Sequence, residues 1–274
     1  FFRTFDKSMD KYKKHIMGDA SEEPMPLYII PDRKVSLADV REGMRNHYEG
    51  TSMDMTQDVG AGPYKSPYRW RPMSFEVEGQ NYINERAIAT QQTGFVLVAQ
   101  LRSWLPDAVG GVLWFGVDDA NTTVFTPMYA SITTIPEAYR QGNGDMMHFS
   151  WTSAFWINWV ANMAYNRYEP MIKDIRPVQE RLENKYFAEQ NSIDTEALRL
   201  LKESPEKATA FLNNYTSDVA NAMVARWKQL GEYLLVKYMD GNMKKEKNGH
   251  FQDNGYGLSE APSFPGYSKE YYEA

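Results

Sequence analysis

Three runs decide how this chain reads: Gly94-Phe-Val-Leu-Val-Ala-Gln-Leu-Arg102, Gly110-Gly-Val-Leu-Trp-Phe-Gly-Val117 and Val124-Phe-Thr-Pro-Met-Tyr-Ala-Ser-Ile132. They are rich in Val, Phe, Trp and Tyr, too short for helices, and bounded by turn residues, so they read as strands of a sheet with a well-buried face. Asp118-Asp-Ala-Asn-Thr122 between the last two reads as a hairpin turn. Arg86-Ala-Ile-Ala-Thr-Gln-Gln-Thr93 leads into the first run, and Ser74 to Val77 is expected to open the same sheet. The block from Glu85 to Tyr139 thus carries Arg, Thr, Gln, Asp and Asn at the ends of its strands, where sites tend to sit.

Helical periodicity flanks this block. Residues 1–17 place Phe5, Met9, Tyr12 and Ile16 among lysines, the pattern of a short amphipathic helix. Ser36 with Asp39 makes a capping box for a helix whose expected stripe is Leu37, Val40, Met44 and Tyr48, ended by Gly50. Thr51 to Pro72 is a long irregular connection of the kind that is functional or disordered. Phe149 to Met171 reads as one buried helix, with Asn158, Asn162 and Asn166 along one face. Residues 175–203 read as helix with a break near Asn191-Ser192, and Ser204-Pro205-Glu206 starts another. Its stripe runs through Phe211, Tyr215, Val219, Met223, Trp227, Leu230 and Leu234 to a stop at Gly241. The expected architecture is α+β, with a β-rich part over 1–140, a helical region over 141–241 and an irregular tail over 242–274.

Composition narrows the function. The 274 residues are 42% hydrophobic and 14% aromatic, which suits a folded chain, and no apolar run reaches the ~18 residues of a membrane span. A net charge of −6 and pI near 5.4, with acids and bases interspersed, offer no basic stripe for nucleic acid or anionic lipid. There is no cysteine, which removes disulfides, thiolate metal sites and a cysteine nucleophile from these residues.

The candidate residues follow from the strand ends. Arg86 reads either as a bidentate clamp for a substrate carboxylate or as one half of a surface salt bridge. Gln91, Gln92 and Thr93 alternate faces, so part of the set needs partners inside. Asp118 and Asp119 before Asn121 suit a turn better than a metal site. His15, His47, His148 and His250 lack ligand spacing, so no metal and no cofactor is expected, and neither a phosphate loop nor a nucleophile elbow occurs.

Several phrases agree in order with one family. His47-Tyr-Glu-Gly-Thr51, Asp54-Met-Thr56, Ala61-Gly-Pro63, Tyr68-Arg-Trp-Arg-Pro72, Glu85-Arg86, Thr90-Gln-Gln-Thr-Gly-Phe95, Trp114-Phe-Gly-Val-Asp-Asp-Ala120, Pro127-Met-Tyr129, Ala161-Asn162 and Tyr165-Asn-Arg-Tyr168 resemble the C-terminal half of the PepD-like cysteine dipeptidases. These are relatives of the secernins in the Ntn-hydrolase superfamily, and the resemblance spans about residues 28–187. It implies part of an αββα sandwich and a hydrolase acting on dipeptides. The family's nucleophile is an N-terminal cysteine whose free α-amino group moves the proton. Since this sequence has none, the chain is expected to be the C-terminal part of a longer enzyme, inactive without its N-terminal part. Arg86 is then the expected substrate-orienting or catalytic-support residue, with Gln91, Thr93 and Asn121 binding substrate beside it and the Asn121 amide as an oxyanion donor. An amidase or acylase on non-peptide amides, and a secernin-like interaction protein, are the rival readings. The family has cytoplasmic and exported bacterial members, and a homo-oligomer stays open.

Overall fold

The computed structural model describes residues 2–17, 23–70, 73–83, 86–140, 147–148, 155–264, 266–267 and 269–274. Its central strand is Gly111–Val117 (β4), flanked antiparallel by Phe95–Leu101 (β3) and Thr126–Tyr129 (β5). Trp114 sits opposite Val98 on one side and Pro127 on the other. Proline cannot donate to a ladder, so its place in β5, an edge strand, is the permitted one. The α+β reading holds, and the three decisive runs are the three strands of this sheet.

Strand alternation divides the sheet into two unlike faces. Val96, Val112, Trp114 and Tyr129 point into a continuous core shared with two long helices, Tyr168–Leu201 (α6) and Pro205–Lys237 (α7). Trp114 packs on Phe187 of α6 at 4.6 Å between ring centroids, and Tyr129 meets Tyr215 of α7 edge-on. On the opposite face Phe95, Leu97, Leu101 and Leu113 remain 37–79% exposed. The sheet is one β-layer with helices on one side, and no second sheet covers the other side among the described residues.

Close approach at the end of β4 requires glycine. A Cβ on Gly116 would lie 2.5 Å from Thr123 Cγ2 and 2.9 Å from its Oγ1. Thr123 is fully buried and cannot retreat. Gly116→Ala is therefore expected to cost about 1–3 kcal/mol of stability, read as a lower urea midpoint; an unchanged midpoint would mean that the 116–123 packing is looser than drawn.

Around the sheet several expectations shift. Among the described residues Ser74–Val77 (β1) pairs only with Gln80–Ile83 (β2) across Glu78-Gly79, both at positive φ, making a separate exposed hairpin and not the opening of the main sheet. Residues 2–17 form Phe2–Phe5 (α1), a 3-10 segment Lys7–Tyr12 and Lys13–Ile16 (α2), a broken version of one helix that still buries Phe5, Met9 and Tyr12. Leu37–Met44 (α3) has the capping box, with Ser36 accepting from the Asp39 amide and Asp39 accepting from Ser36. Its most buried side chains are Arg41 and the C-cap Arg45, not the apolar stripe. A short turn of helix, Asp107–Gly110 (α4), joins β3 to β4.

The helical region differs at two joints. Phe155–Asn166 (α5) stops where one helix to Met171 was expected, because Arg167 is non-helical at φ −151, ψ 56 and donates to the Tyr238 and Asn242 carbonyls at 2.9 and 3.2 Å. Residues 149–154 lie outside the described residues. Asn162 and Asn166 face solvent. Conversely, α6 runs unbroken through Asn191-Ser192: Ser192 and Thr195 turn their hydroxyls back to the Glu189 and Asn191 carbonyls, while Asp194 and Ala197 are buried. Ser204 caps α7, which ends at Lys237 ahead of Gly241. The tail contains a small hairpin, Glu246–Lys247 (β6) with His250–Phe251 (β7), and Lys269–Glu273 (α8).

Candidate active site

The C-terminal end of β4 is where buried charge collects. Asp118 leaves the strand at φ 70, with its amide donating to Gly94 O at 2.9 Å, so the ends of β3 and β4 are fastened beside Thr93. A left-handed non-glycine residue is strained, and such strain tends to gather at functional positions. The connection to β5 is eight residues long rather than a tight hairpin, and it folds over Asp119 O, which accepts from Thr122 and Thr123 at 3.2 and 3.0 Å.

This connection is fixed by a polar stripe on α6. Arg176, Gln179 and Glu183 recur at helical spacing and share one face. Arg176 donates to Asn121 O at 3.1 Å and to its Oδ1, Gln179 to Asn121 O at 3.0 Å and to Thr123 O, and Glu183 accepts from the Phe125 amide at 2.9 Å. Arg45 comes from the other side, donating to Ala120 O and Thr123 O at 3.2 and 3.1 Å and pairing with Glu183. Buried backbone carbonyls that no strand can satisfy are thus taken up by side chains.

Beneath the turn lies an aromatic and acidic knot. Tyr68, from the long connection, donates to Asp119 Oδ2, and Asn121 donates to Tyr168 Oη at 2.7 Å. His47 is fully buried, edge-on to Tyr68 and Tyr168 at 5.4 and 6.2 Å, with Nδ1 3.1 Å from Glu49 Oε1. His47 Nε2 and Tyr165 Oη are buried without a hydrogen-bond partner among the described residues. Burial, then the neighbouring Asp119 carboxylate, pushes Asp118 up to about 7. Burial also raises Asp119, although the Tyr68 hydroxyl opposes it. Burial works upward on Glu49 too, but hydrogen bonds from His47 hold it below the usual carboxylate range.

Arg86 and Gln91 come together in a narrow cleft with Arg69, Thr90 and Gln92. Residues 86–94 are irregular, so Arg86 does not start a strand, and Gln91, Gln92 and Thr93 do not alternate across a sheet. The Arg86 side chain is exposed and makes no hydrogen bond or ion pair among the described residues. Gln91 donates to Arg69 O at 2.7 Å, and Thr93 is half-buried next to the Gly94 and Asp118 junction. Asn121 stands apart: it is buried, and its amide is committed to Tyr168 and Arg176. Cleft and knot meet through Tyr68-Arg69, one residue facing each. Sequence reading missed His47, Tyr68 and the α6 stripe. The one available signal was the 176, 179, 183 spacing beside apolar Ile175, Val178 and Tyr186. Among the described residues no group of three or more His, Asp or Glu side chains is placed to hold a metal ion, and no helix is long and apolar enough to cross a membrane.

The sheet thus combines an open apolar face with a buried acidic strand end. Residues 4–181 match Peptidase family C69, and the chain belongs to that family. It is 25% identical over 241 residues to a probable dipeptidase B of Lactococcus lactis subsp. lactis (strain IL1403), covering 85% of this chain and 45% of that protein. A probable dipeptidase B of Streptococcus pyogenes serotype M1 is 23% identical, covering 87% of this chain and 45% of the relative. A probable dipeptidase of Salmonella dublin is 32% identical over 110 residues, 39% of this chain and 20% of the relative. The chain spans about half the length of the dipeptidase B relatives it matches.

Proposed function

We propose that this chain is the C-terminal part of a cysteine-type dipeptidase and does not cleave peptides without its N-terminal part. The family, the half-length match and the absence of cysteine support this reading. The N-terminal part would supply the nucleophile and a second sheet over the exposed Phe95, Leu97, Leu101 and Leu113. An uncovered apolar surface of that extent on one sheet face is what such a partner layer would bury.

The observation that carries the site is the Arg86 guanidinium, exposed and uncommitted beside Gln91 at the strand-end cleft. A dipeptide ends in a carboxylate a few ångströms from its scissile bond, and a free guanidinium grips such a group bidentately. Gln91 and Thr93 would flank it with amide and hydroxyl partners. The buried knot, with Asn121 inside it, would hold this rim in place. In the full-length enzyme Arg86→Ala is expected to lower kcat/KM on dipeptides at least about tenfold, while N-acylated amines show no preference over dipeptides. Unchanged dipeptide turnover would sink the assignment of Arg86, and a preference for acylated amines would favour an amidase. The chain alone is expected to leave dipeptides intact.

A further inference from the structure

Residues 86–89 are fastened to one loop by two hydrogen bonds among the described residues. Tyr48 Oη donates to Arg86 O at 2.6 Å, and the Ala89 amide donates to Asn46 O at 3.2 Å, so residues 86–89 are tied at both ends to Asn46–Tyr48. Everything else in that loop is anchored. His47 is fully buried, its amide donates to Glu49 Oε2 at 2.6 Å, and the Tyr48 amide donates to Asn46 Oδ1 at 2.8 Å. Thr51 closes the loop from below, its hydroxyl donating to Tyr48 O at 2.7 Å.

Tyr48 itself adopts φ 65, a conformation that glycine or asparagine occupies at lower cost. A bulky aromatic residue there needs a reason in its side chain. From this left-handed backbone the side chain reaches the 86–89 segment, where its hydroxyl meets the Arg86 carbonyl. We propose that Tyr48 is a positioning residue: its strained backbone aims the phenol so that the hydroxyl fixes the Arg86 backbone and with it the origin of the guanidinium. This rests on the reading of Arg86 as the substrate-carboxylate clamp. Without the tether the exposed guanidinium starts from an unfixed Cα, and more of the binding free energy goes into ordering it.

Tyr48→Phe removes one oxygen and keeps the ring. In the full-length enzyme it is expected to lower kcat/KM on dipeptides about three- to tenfold, mainly through KM, with Tm within about 3 °C of the parent. Tyr48→Gly suits the left-handed backbone, removes the hydroxyl by a different route and should give at least the same loss. The decisive comparison is the double variant Tyr48→Phe with Arg86→Ala, which should be no worse than Arg86→Ala alone, because the tether acts only through Arg86. The tether is overturned by Tyr48→Phe keeping full kcat/KM while Arg86→Ala loses it, or by the two losses multiplying. Full activity in Arg86→Ala instead overturns the clamp on which it rests, so the two failures are distinguishable.

Discussion

Replacing Glu183 by alanine is expected to lower the free energy of unfolding by about 3–5 kcal/mol, the largest effect of any single change at the site's foundation. The Glu183 carboxylate is fully buried and serves three partners at once. Arg45 reaches Oε2 from Nη1 at 3.1 Å and Oε1 from Nη2 at 2.5 Å, and the Phe125 amide donates to Oε1 at 2.9 Å. Arg41 Nη1 lies 2.8 Å from Oε2 as an ion pair, out of line for a hydrogen bond. Alanine would leave two buried guanidiniums facing a cavity and one strand-end amide unpaired, and each of those losses carries a desolvation cost. Glu183→Gln should be milder, since it can still accept from Phe125. Urea unfolding followed by tryptophan fluorescence measures both. A loss below about 1 kcal/mol for Glu183→Ala would show that the exposed Glu42, 3.1 Å from Arg41 Nε and 3.3 Å from Arg45 Nη1, takes over the pair.

Stability should also fall as pH rises from about 4 to about 7, and Asp118 should be a main cause. Its ordinary value is 3.8 and burial beside Asp119 lifts it to about 7. Between those limits the folded chain holds a proton that the unfolded chain has released, so raising the pH favours unfolding. Below about pH 4 both states are protonated, and above about 7 both are ionised, so the slope is confined to that window. At ~1.4 kcal/mol per pKa unit the full cost approaches about 4 kcal/mol. Asp119, raised for the same reason, adds in the same direction. The carboxylates held low, Glu49 and Asp54, lose their contribution only as pH falls below their ordinary range. Asp118→Asn removes the titrating group and should flatten the profile between pH 5 and 7; an equally steep profile in that variant would assign the slope elsewhere.

The parts of the fold legible in sequence were those with local causes. β3, β4 and β5 follow from short apolar runs between turn residues, the start of α3 from Ser36 and Asp39, and the start of α7 from Ser204 and Pro205. Three of the misplacements trace to a partner far away in the chain. Asn191 and Ser192 lie on the exposed side of a helix whose other side is held by the Arg102–Asp194 pair and the buried Ala197, so the break expected there does not occur. The helix expected to run on to Met171 breaks because Arg167 is captured by carbonyls beyond α7. Tyr48, placed in an apolar stripe by spacing, belongs to a left-handed loop instead. Of the site, the 86–94 segment was visible through its unusual density of Arg, Gln and Thr. His47, Tyr68 and the α6 stripe were not, because their roles exist only once distant segments meet.

The sequence by itself determined the class of protein: an acidic, cysteine-free α+β chain whose ordered phrases match one peptidase family. Apolar periodicity and capping act within a few residues, so composition and spacing suffice to specify them. Only the tertiary structure decided that Arg86 stays uncommitted while Asn121 is buried and bonded, and that Tyr48 reaches the Arg86 carbonyl. It also decided which face of the sheet is left open. Those outcomes depend on which side chain reaches a given carbonyl or carboxylate first across dozens of intervening residues, a competition settled by three-dimensional packing and invisible to local pattern.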